Sequence, residues 1–272
     1  MRREEPIRWD VSGRQLVGVL HHAASGNPRA TVLLVHPFAE EKKFSYRVLV
    51  KLARALARRQ VAAFRFDLSG CGDSFGDSRD ATLGHWREEI ASAADRLGTQ
   101  FPDATPVLMG LRLGATLALA CAVDASPPPA LVLWEPVVSG KKYVNEILRR
   151  RMIKEMMTTG RKATGREAVL AQLEADGFLD LDGIAVGRGL IEAVSALDAE
   201  TLAEGYAGRT LCVQIAFNAK VSSALASLAK NMNAAETVGI REQIIWDRVE
   251  LVEAVELIEV TAEWIVSHAG SE

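Results

Sequence analysis

The stretch from Pro106 to Thr116, PVLMGLRLGAT, constrains the fold of this chain more than any other segment. A short apolar strand runs into a helix through Gly110, Arg112 and Gly114, which have the Gly-X-X-X-Gly spacing of a nucleophile elbow. In such a turn, small residues flank a strained position whose side chain is held above the end of a sheet. Here that position is Arg112, and a guanidinium cannot act as an acyl-accepting nucleophile. The spacing therefore predicts the architecture without the usual chemistry.

Eight short segments rich in aliphatic residues alternate with five helical patterns along the chain. The predicted strands cover residues 7–11, 15–21, 30–36, 61–67, 106–110, 130–134, 210–217 and 242–246. The predicted helices cover residues 46–60, 83–97, 113–123, 221–232 and 251–266. After the two opening strands, strand and helix alternate. This order predicts an α/β fold in which a mostly parallel eight-stranded sheet has helices on both faces and an antiparallel edge.

The alternation is interrupted after the sixth predicted strand. Only helical patterns follow there, at residues 143–157, 165–174 and 187–197. We therefore predict a core domain formed by residues 1–139 and 198–272, with a helical cap, residues 140–197, inserted into it.

The composition is that of an ordinary globular protein, since 49% of the 272 residues are hydrophobic and 25% are charged. A chain of this length buries enough surface for one large domain, or for one domain with an insertion. Its net charge is −3, whereas domains that bind nucleic acid normally carry a strong basic excess. We therefore expect no nucleic-acid partner.

The three cysteines, Cys71, Cys121 and Cys212, have neither the number nor the spacing of a disulfide framework or a zinc site. We expect no metal and no organic cofactor. The N-terminal segment MRREEPIRWD is charged, and no apolar signal segment follows it. These features predict a cytoplasmic protein.

Four segments together resemble the α/β-hydrolase fold superfamily: VLLVHPFAEE at 32–41, DLSGCGDS at 67–74, GLRLGA at 110–115 and LWEPVVSGK at 133–141. The first of them is similar to the strand and loop that supply one oxyanion-hole amide in that fold. The set also resembles, more narrowly, the exosortase A system-associated hydrolase 2 family. That resemblance implies descent from ester or thioester hydrolases and a link to exopolysaccharide and protein-sorting systems.

The resemblance also implies where a hydrolase would carry its catalytic acid and histidine. The acid would follow the seventh strand, where this chain has Asn218, and the histidine would follow the eighth, where it has Trp246. With Arg112 at the elbow, all three positions differ from a Ser-His-Asp triad. We therefore expect a protein that binds a small anionic or acylated ligand beside Asn218 and Trp246, rather than one that hydrolyses it through a serine.

Arg112 needs an anion nearby, because a positive side chain at a helix N-terminus faces the positive end of the helix dipole. One interpretation is an internal ion pair. Glu135 ends the next strand, and Glu40 and Glu41 are expected on a loop at the same edge of the sheet. Glu135 could then orient Arg112 even if a ligand also binds there.

The alternative is that Arg112 and the backbone amides of Phe38 and Leu113 receive a carboxylate, phosphate or sulfate group of a ligand. The same elements allow an enzyme with a rebuilt site, in which His36 or Glu40 activates water and Arg112 stabilises the oxyanion. His36 precedes a proline, and its simpler interpretation is a side chain that hydrogen-bonds its own loop. The sequence leaves open whether the chain is an enzyme.

The first part of the cap is strongly basic. Residues 141–167 hold nine basic and three acidic side chains, and the helix predicted over 143–157 is amphipathic. The simplest interpretation is a lid helix that packs on the core with a solvated basic face. The alternative is a surface that docks on an anionic membrane or on a protein of an export system.

Overall fold

The computed structural model describes residues 4–159, 165–247, 250 and 252–268. The strands, numbered in chain order, are β1 Glu4–Val11, β2 Arg14–His21, β3 Ala30–Val35, β4 Val61–Asp67, β5 Thr105–Leu111, β6 Ala130–Trp134, β7 Phe178–Leu181, β8 Ile184–Gly187, β9 Thr210–Ala216 and β10 Ala235–Arg241. Eight of them form one sheet in the order β1-β2-β4-β3-β5-β6-β9-β10. The pairs β1–β2 and β2–β4 are antiparallel and the other pairs are parallel. The predicted α/β sheet with an antiparallel edge is therefore confirmed.

The central strands are buried on both faces. All six residues of β3 are buried, and β6 has four buried residues out of five. A parallel strand that is covered on both sides needs such a continuous apolar run, whereas an edge strand does not. The hydrophobic pattern of the chain therefore places β3, β5 and β6 in the middle of the sheet, and their carboxyl ends meet at one edge.

The helices are α1 Glu40–Arg58, α2 Leu83–Gln100, α3 Leu113–Val123, α4 Gly140–Thr159, α5 Arg166–Asp176, α6 Arg188–Ser195, α7 Ala199–Ala203, α8 Ser223–Lys230 and α9 Val255–His268. Helices α1 and α9 pack on one face of the sheet, through residues such as Leu52 and Leu257. Helices α2, α3 and α8 pack on the other face. Among the described residues, no helix has both the length and the apolar character that crossing a bilayer requires.

Residues 140–197, which we call the cap, contain α4, α5 and α6, but this segment is not purely helical as predicted. Strands β7 and β8 form a separate antiparallel hairpin within it. The hairpin turns at Asp182 and Gly183, which both have positive φ angles, 58° and 86°. An Asp-Gly pair between short apolar runs is a strong hairpin signal, because it suits a two-residue turn with both φ angles positive. The prediction missed it because each strand is only four residues long.

The last strand of the sheet also differs from its predicted position. It spans Ala235–Arg241 rather than 242–246. Only Ile240 is buried in β10, because the strand lies at the edge of the sheet and has a weak apolar signal. The apolar residues Ile245 and Trp246 are buried instead in the loop after the strand.

Candidate functional site

The turn between β5 and α3 has the geometry of a nucleophile elbow. Arg112 is the N-cap of α3, with φ 55° and ψ −123°, a conformation that is strained for a residue other than glycine. Gly110 and Gly114 allow the chain to pack this tightly: a Cβ on Gly110 would lie 2.3 Å from backbone atoms of Gly114, and one on Gly114 would lie 2.4 Å from the carbonyl oxygen of His36. The sequence pattern and the backbone agree at this turn.

The side chain of Arg112 is enclosed by two carboxylates and two aromatic rings. Its Nε donates to Oε1 of Glu41 at 3.2 Å, and its Nη2 donates to Oε2 of Glu146 at 3.4 Å. The guanidinium carbon lies 5.4 Å from the ring centroid of Tyr143 and 5.0 Å from that of Trp246. Only 12% of the side chain is exposed. The anion that this cation requires is therefore supplied by the protein itself.

Glu41 is the central partner in this cluster. Its Oε2 accepts a hydrogen bond of 2.9 Å from the hydroxyl of Tyr143, while Oε1 faces Arg112. Burial raises the pKa of the Glu41 carboxyl, and the charge of Arg112 opposes that rise. Burial, together with the Glu41 charge, raises the pKa of Tyr143 well above its usual value, so the phenol stays a proton donor. The cluster joins the core residues Arg112 and Glu41 to Tyr143 and Glu146 of the cap.

Glu135 does not form the ion pair with Arg112 that the sequence suggested. Its Oε1 accepts hydrogen bonds from the backbone amide of Ile215, at 2.7 Å, and from the side chain of Gln214. Burial raises the pKa of Glu135, and Arg112 lowers it only through space. Both residues line a cavity of about 210 Å³, but Glu135 is not the ion-pair partner of Arg112. The partners of Arg112 are Glu146 of α4 and Glu41, which belongs to the first turn of α1 rather than to a loop.

Two further predicted residues lie at this edge: Phe38 on the loop before α1, and Leu113 at the start of α3. Ala39 is the N-cap of α1, with φ 51° and ψ −129°, so its backbone resembles that of Arg112. The ring of Phe38 packs on Trp86, at 5.7 Å between centroids. Leu113 is fully buried as the first residue of α3. That the amides of Phe38 and Leu113 bind an anion stays a prediction.

His36 is buried and does not hydrogen-bond its loop as expected. Neither ring nitrogen has a partner among the described residues, and the ring stacks on Tyr46 at 5.7 Å. Burial, with the nearby Lys42, lowers the pKa of His36 to about 3, so the ring is neutral.

Asn218 is exposed, and its Oδ1 accepts a hydrogen bond of 3.1 Å from the backbone amide of Lys220 rather than from Arg112. Of Asn218 and Trp246, the residues predicted at the positions of the acid and the histidine, the structure therefore brings only Trp246 against Arg112.

A cavity of about 260 Å³ lies between the cap and the core. Part of its wall is apolar, formed by Phe38, Ile147, Ile153, Met157 and Leu181. Its volume is just below the range of roughly 300–1,000 Å³ that is typical of small-molecule pockets. Most of the other lining residues are charged: Glu40, Glu41, Arg150, Arg151, Lys154, Asp182 and Asp247.

Glu40 lies in the charged part of this wall, with two residues of the cap. Lys154 places its Nζ 3.2 Å from Oε1 of Glu40 and 2.5 Å from Oδ1 of Asp182. Burial and a hydrogen bond to the neighbouring carboxyl of Asp182 raise the pKa of Glu40. Two carboxyl groups and one ammonium therefore meet where α1 faces the cap.

The sequence did not predict the cap residues of the site. Tyr143 lies in the helix predicted over 143–157, and nothing in its spacing identifies Glu41, 102 residues away, as its partner. Nothing in the sequence distinguishes Glu146, Lys154 or Asp182 from ordinary surface charges. The one available signal is the excess of basic residues in the cap, which is compatible with carboxylates on the facing surface as well as with a solvated basic face. That this cap docks on a membrane or an export protein stays a prediction.

The chain is similar in sequence to characterised proteins. Residues 26–196 match the family described as serine aminopeptidase, S33. Palmitoyl-protein thioesterase ABHD10, mitochondrial, from Homo sapiens and from Pongo abelii, is 40% identical over 72 residues. Those residues are 26% of this chain and 22% of each relative, so the match spans about a fifth of the relatives' length.

Solved structures share the whole fold at low identity. Est1E from Butyrivibrio proteoclasticus, with ferulic acid bound, has a TM-score of 0.69 at 18% identity, with 96% of both chains covered. The esterase domain from a Rhodothermus marinus protein has a TM-score of 0.68 at 18% identity, covering 98% of this chain and 99% of the other. Alpha/beta hydrolase domain-containing protein 10 from mouse has a TM-score of 0.65 at 14% identity, covering 97% and 99%. The S33 family match spans more than half of the sequence and the fold agrees with it, so this chain belongs to the serine aminopeptidase S33 family of α/β-hydrolases.

Proposed function

We propose that this protein is a binding member of its hydrolase family, which holds an acylated ligand between cap and core without hydrolysing it through a serine. The observation that carries the proposal is the environment of Arg112. The residue at the elbow is a guanidinium bound by Glu41 and covered by the rings of Tyr143 and Trp246. A side chain held in this way supplies no nucleophile, and Trp246 supplies no general base.

The ligand class follows from the cavity beside this cluster. Aliphatic side chains of α4 and of the cap hairpin, such as Ile147 and Leu181, form its apolar wall. An acyl chain suits such a wall, because each buried methylene contributes about 0.8 kcal/mol. The name of the curated relatives, a palmitoyl-protein thioesterase, supports an acylated ligand. The motifs around Glu41, Arg112 and Glu135 support the narrower proposal that the protein serves an exosortase-associated exopolysaccharide or protein-sorting system.

Two measurements test the proposal. The purified protein should bind a fluorescent fatty acid. Leu181→Trp should weaken this binding, because the larger ring fills the cavity. Leu170→Trp is the matched control, because Leu170 is exposed on α5 of the same cap. The protein should also fail to turn over p-nitrophenyl esters. A robust turnover that disappears in Arg112→Ala would overturn the proposal.

A second candidate is an ester or thioester hydrolase with a rebuilt site. The observation that favours it is the position of Glu40 in the cavity wall, where the Asp182 carboxyl and Lys154 adjoin it and its pKa is raised, as suits a general base. Of the two bases considered, His36 is the weaker because its pKa is lowered to about 3. This candidate predicts turnover that Glu40→Gln abolishes and that fluorophosphonates do not inhibit.

A further inference from the structure

Three basic side chains of α4 line the cavity between cap and core: Arg150, Arg151 and Lys154. Arg150 donates to Glu146 at 2.6 Å and lies 3.4 Å from Asp247. Lys154 is held between two carboxylates, as described above. The charges of Arg150 and Lys154 are therefore balanced by carboxylates of the protein itself.

Arg151 differs from its two neighbours. Its Nη2 donates to the neutral side chain of Gln172 at 2.9 Å. Its Nη1 is buried and has no acceptor among the described residues. The Asp182 carboxyl is close enough to be affected by the charge of Arg151, but its hydrogen bonds go to Lys154 and Glu40. A buried donor without an acceptor on a charged group is costly, and a ligand oxygen would remove that cost.

We propose that Arg151 binds the anionic end of an amphiphile whose hydrocarbon chain occupies the cavity between cap and core. This inference rests on the proposed function and deepens it, because it names the ligand as an amphiphile with an oxyanion, such as a carboxylate or a phosphate. It also assigns the anion site to Arg151 rather than to Arg112. Arg112 was the expected acceptor, but its two carboxylates and two rings already enclose it.

The arrangement of the wall fits such a ligand. Ile147, Ile153 and Met157 lie on α4 with Arg151, and all four side chains line the same cavity. Met157 is 79% exposed and Ile153 is 43% exposed, so apolar surface continues from the cavity towards solvent. A chain that binds along these residues places its charged end within reach of the guanidinium, whose planar donors match a carboxylate or phosphate.

The test compares three ligands with the same hydrocarbon chain: dodecanoate, dodecyl phosphate and dodecanol. Their affinities are measured by displacement of a fluorescent fatty acid from the full-length protein and its variants. The wild-type protein should bind one or both anions about tenfold or more tightly than dodecanol, since a hydrogen bond to a charged group contributes about that factor. The stronger anion identifies the head group.

Arg151→Gln should remove the preference for the anion and leave dodecanol binding unchanged. Arg149→Gln is the matched control, because Arg149 is an exposed neighbour on the same helix and should leave both affinities as they are. Arg151→Lys, which retains the charge, should keep most of the preference for the anion over dodecanol. This variant is the control for a loss of binding caused by misfolding.

The outcomes separate this inference from the proposed function. If dodecanol binds but neither anion binds more tightly, or if Arg151→Gln keeps the preference, the inference is wrong and the acyl cavity stands. If no amphiphile binds the wild-type protein, the proposed function fails and the inference fails with it. A loss of dodecanol binding in Arg151→Gln would assign Arg151 to the structure of the cap and overturn its role as an anchor.

Discussion

The ion pair between Glu41 and Arg112 yields a quantitative prediction, because both side chains are nearly buried, with 8% and 12% exposed. Glu41→Gln removes the carboxylate but leaves a guanidinium that cannot lose its proton. Breaking a buried pair in this way costs about 3–5 kcal/mol. For a protein of this size, that loss lowers the Tm by on the order of 10 °C.

The reverse substitution, Arg112→Met, should behave differently with pH. It removes the charge that opposes the raised pKa of Glu41, so the pKa of the carboxyl rises further above its usual 4.5. In the unfolded chain Glu41 loses its proton near 4.5, whereas in the folded variant it keeps the proton to higher pH. The contribution of Glu41 to the stability of this variant is therefore greatest below about pH 4.5, and it falls by about 1.4 kcal/mol per pH unit above that until the folded carboxyl ionises.

The double variant Glu41→Gln with Arg112→Met has neither charge and should recover much of the stability lost by either single change. The assay is the Tm of all four proteins from about pH 5 to pH 8. Two results would refute the reasoning: an Arg112→Met protein whose Tm follows the double variant at every pH, or a Glu41→Gln protein as stable as the wild type.

Three further substitutions probe the same edge of the sheet. Gly114→Ala places a Cβ 2.4 Å from the carbonyl oxygen of His36, so chemical unfolding should show a loss of about 1–3 kcal/mol; unchanged stability would contradict the close approach. His36 has its pKa lowered from 6.5 to about 3, so the unfolded chain binds a proton between those values and acid destabilises the fold. Between about pH 7 and pH 4, the Tm of His36→Phe should fall less than the Tm of the wild type. Equal decreases would exclude His36 as a cause of the acid destabilisation. Trp246→Leu should cost about 0.5–2 kcal/mol more than Trp246→Phe, which keeps a ring over Arg112; equal Tm values would show that the ring contact contributes nothing.

The architecture could be predicted because it depends on patterns that are local in sequence. The elbow required glycines at positions 110 and 114, and the buried strands β3, β5 and β6 required continuous apolar runs. The predictions failed where the pattern is weak. Strand β10 is at an edge with one buried residue, and the cap hairpin has strands of four residues.

The partners of Arg112 could not be predicted, because they depend on how the cap lies on the core. Glu41 and Glu146 are 71 and 34 residues away along the chain, and each belongs to a helix whose rotation about its own axis the sequence does not define. Glu135 was the nearest carboxylate by topology, since its strand pairs with β5. Its backbone turns at φ 44°, and its carboxylate binds the amide of Ile215 instead.

The enclosed state of Arg112 decides where a ligand can bind. In the sequence, Arg112 is the cation at the place where this fold presents its reactive group, and an anionic ligand is expected there. In the structure, Arg112 already faces Glu41 and Glu146, so a ligand anion there would add a third negative charge beside the buried carboxylate of Glu41, whose second oxygen is bound by Tyr143. Arg151 imposes no such penalty, because its buried Nη1 has no acceptor among the described residues and its other nitrogen binds a neutral amide. We therefore expect an anionic ligand to bind more favourably at Arg151 in the cap than at Arg112 in the elbow.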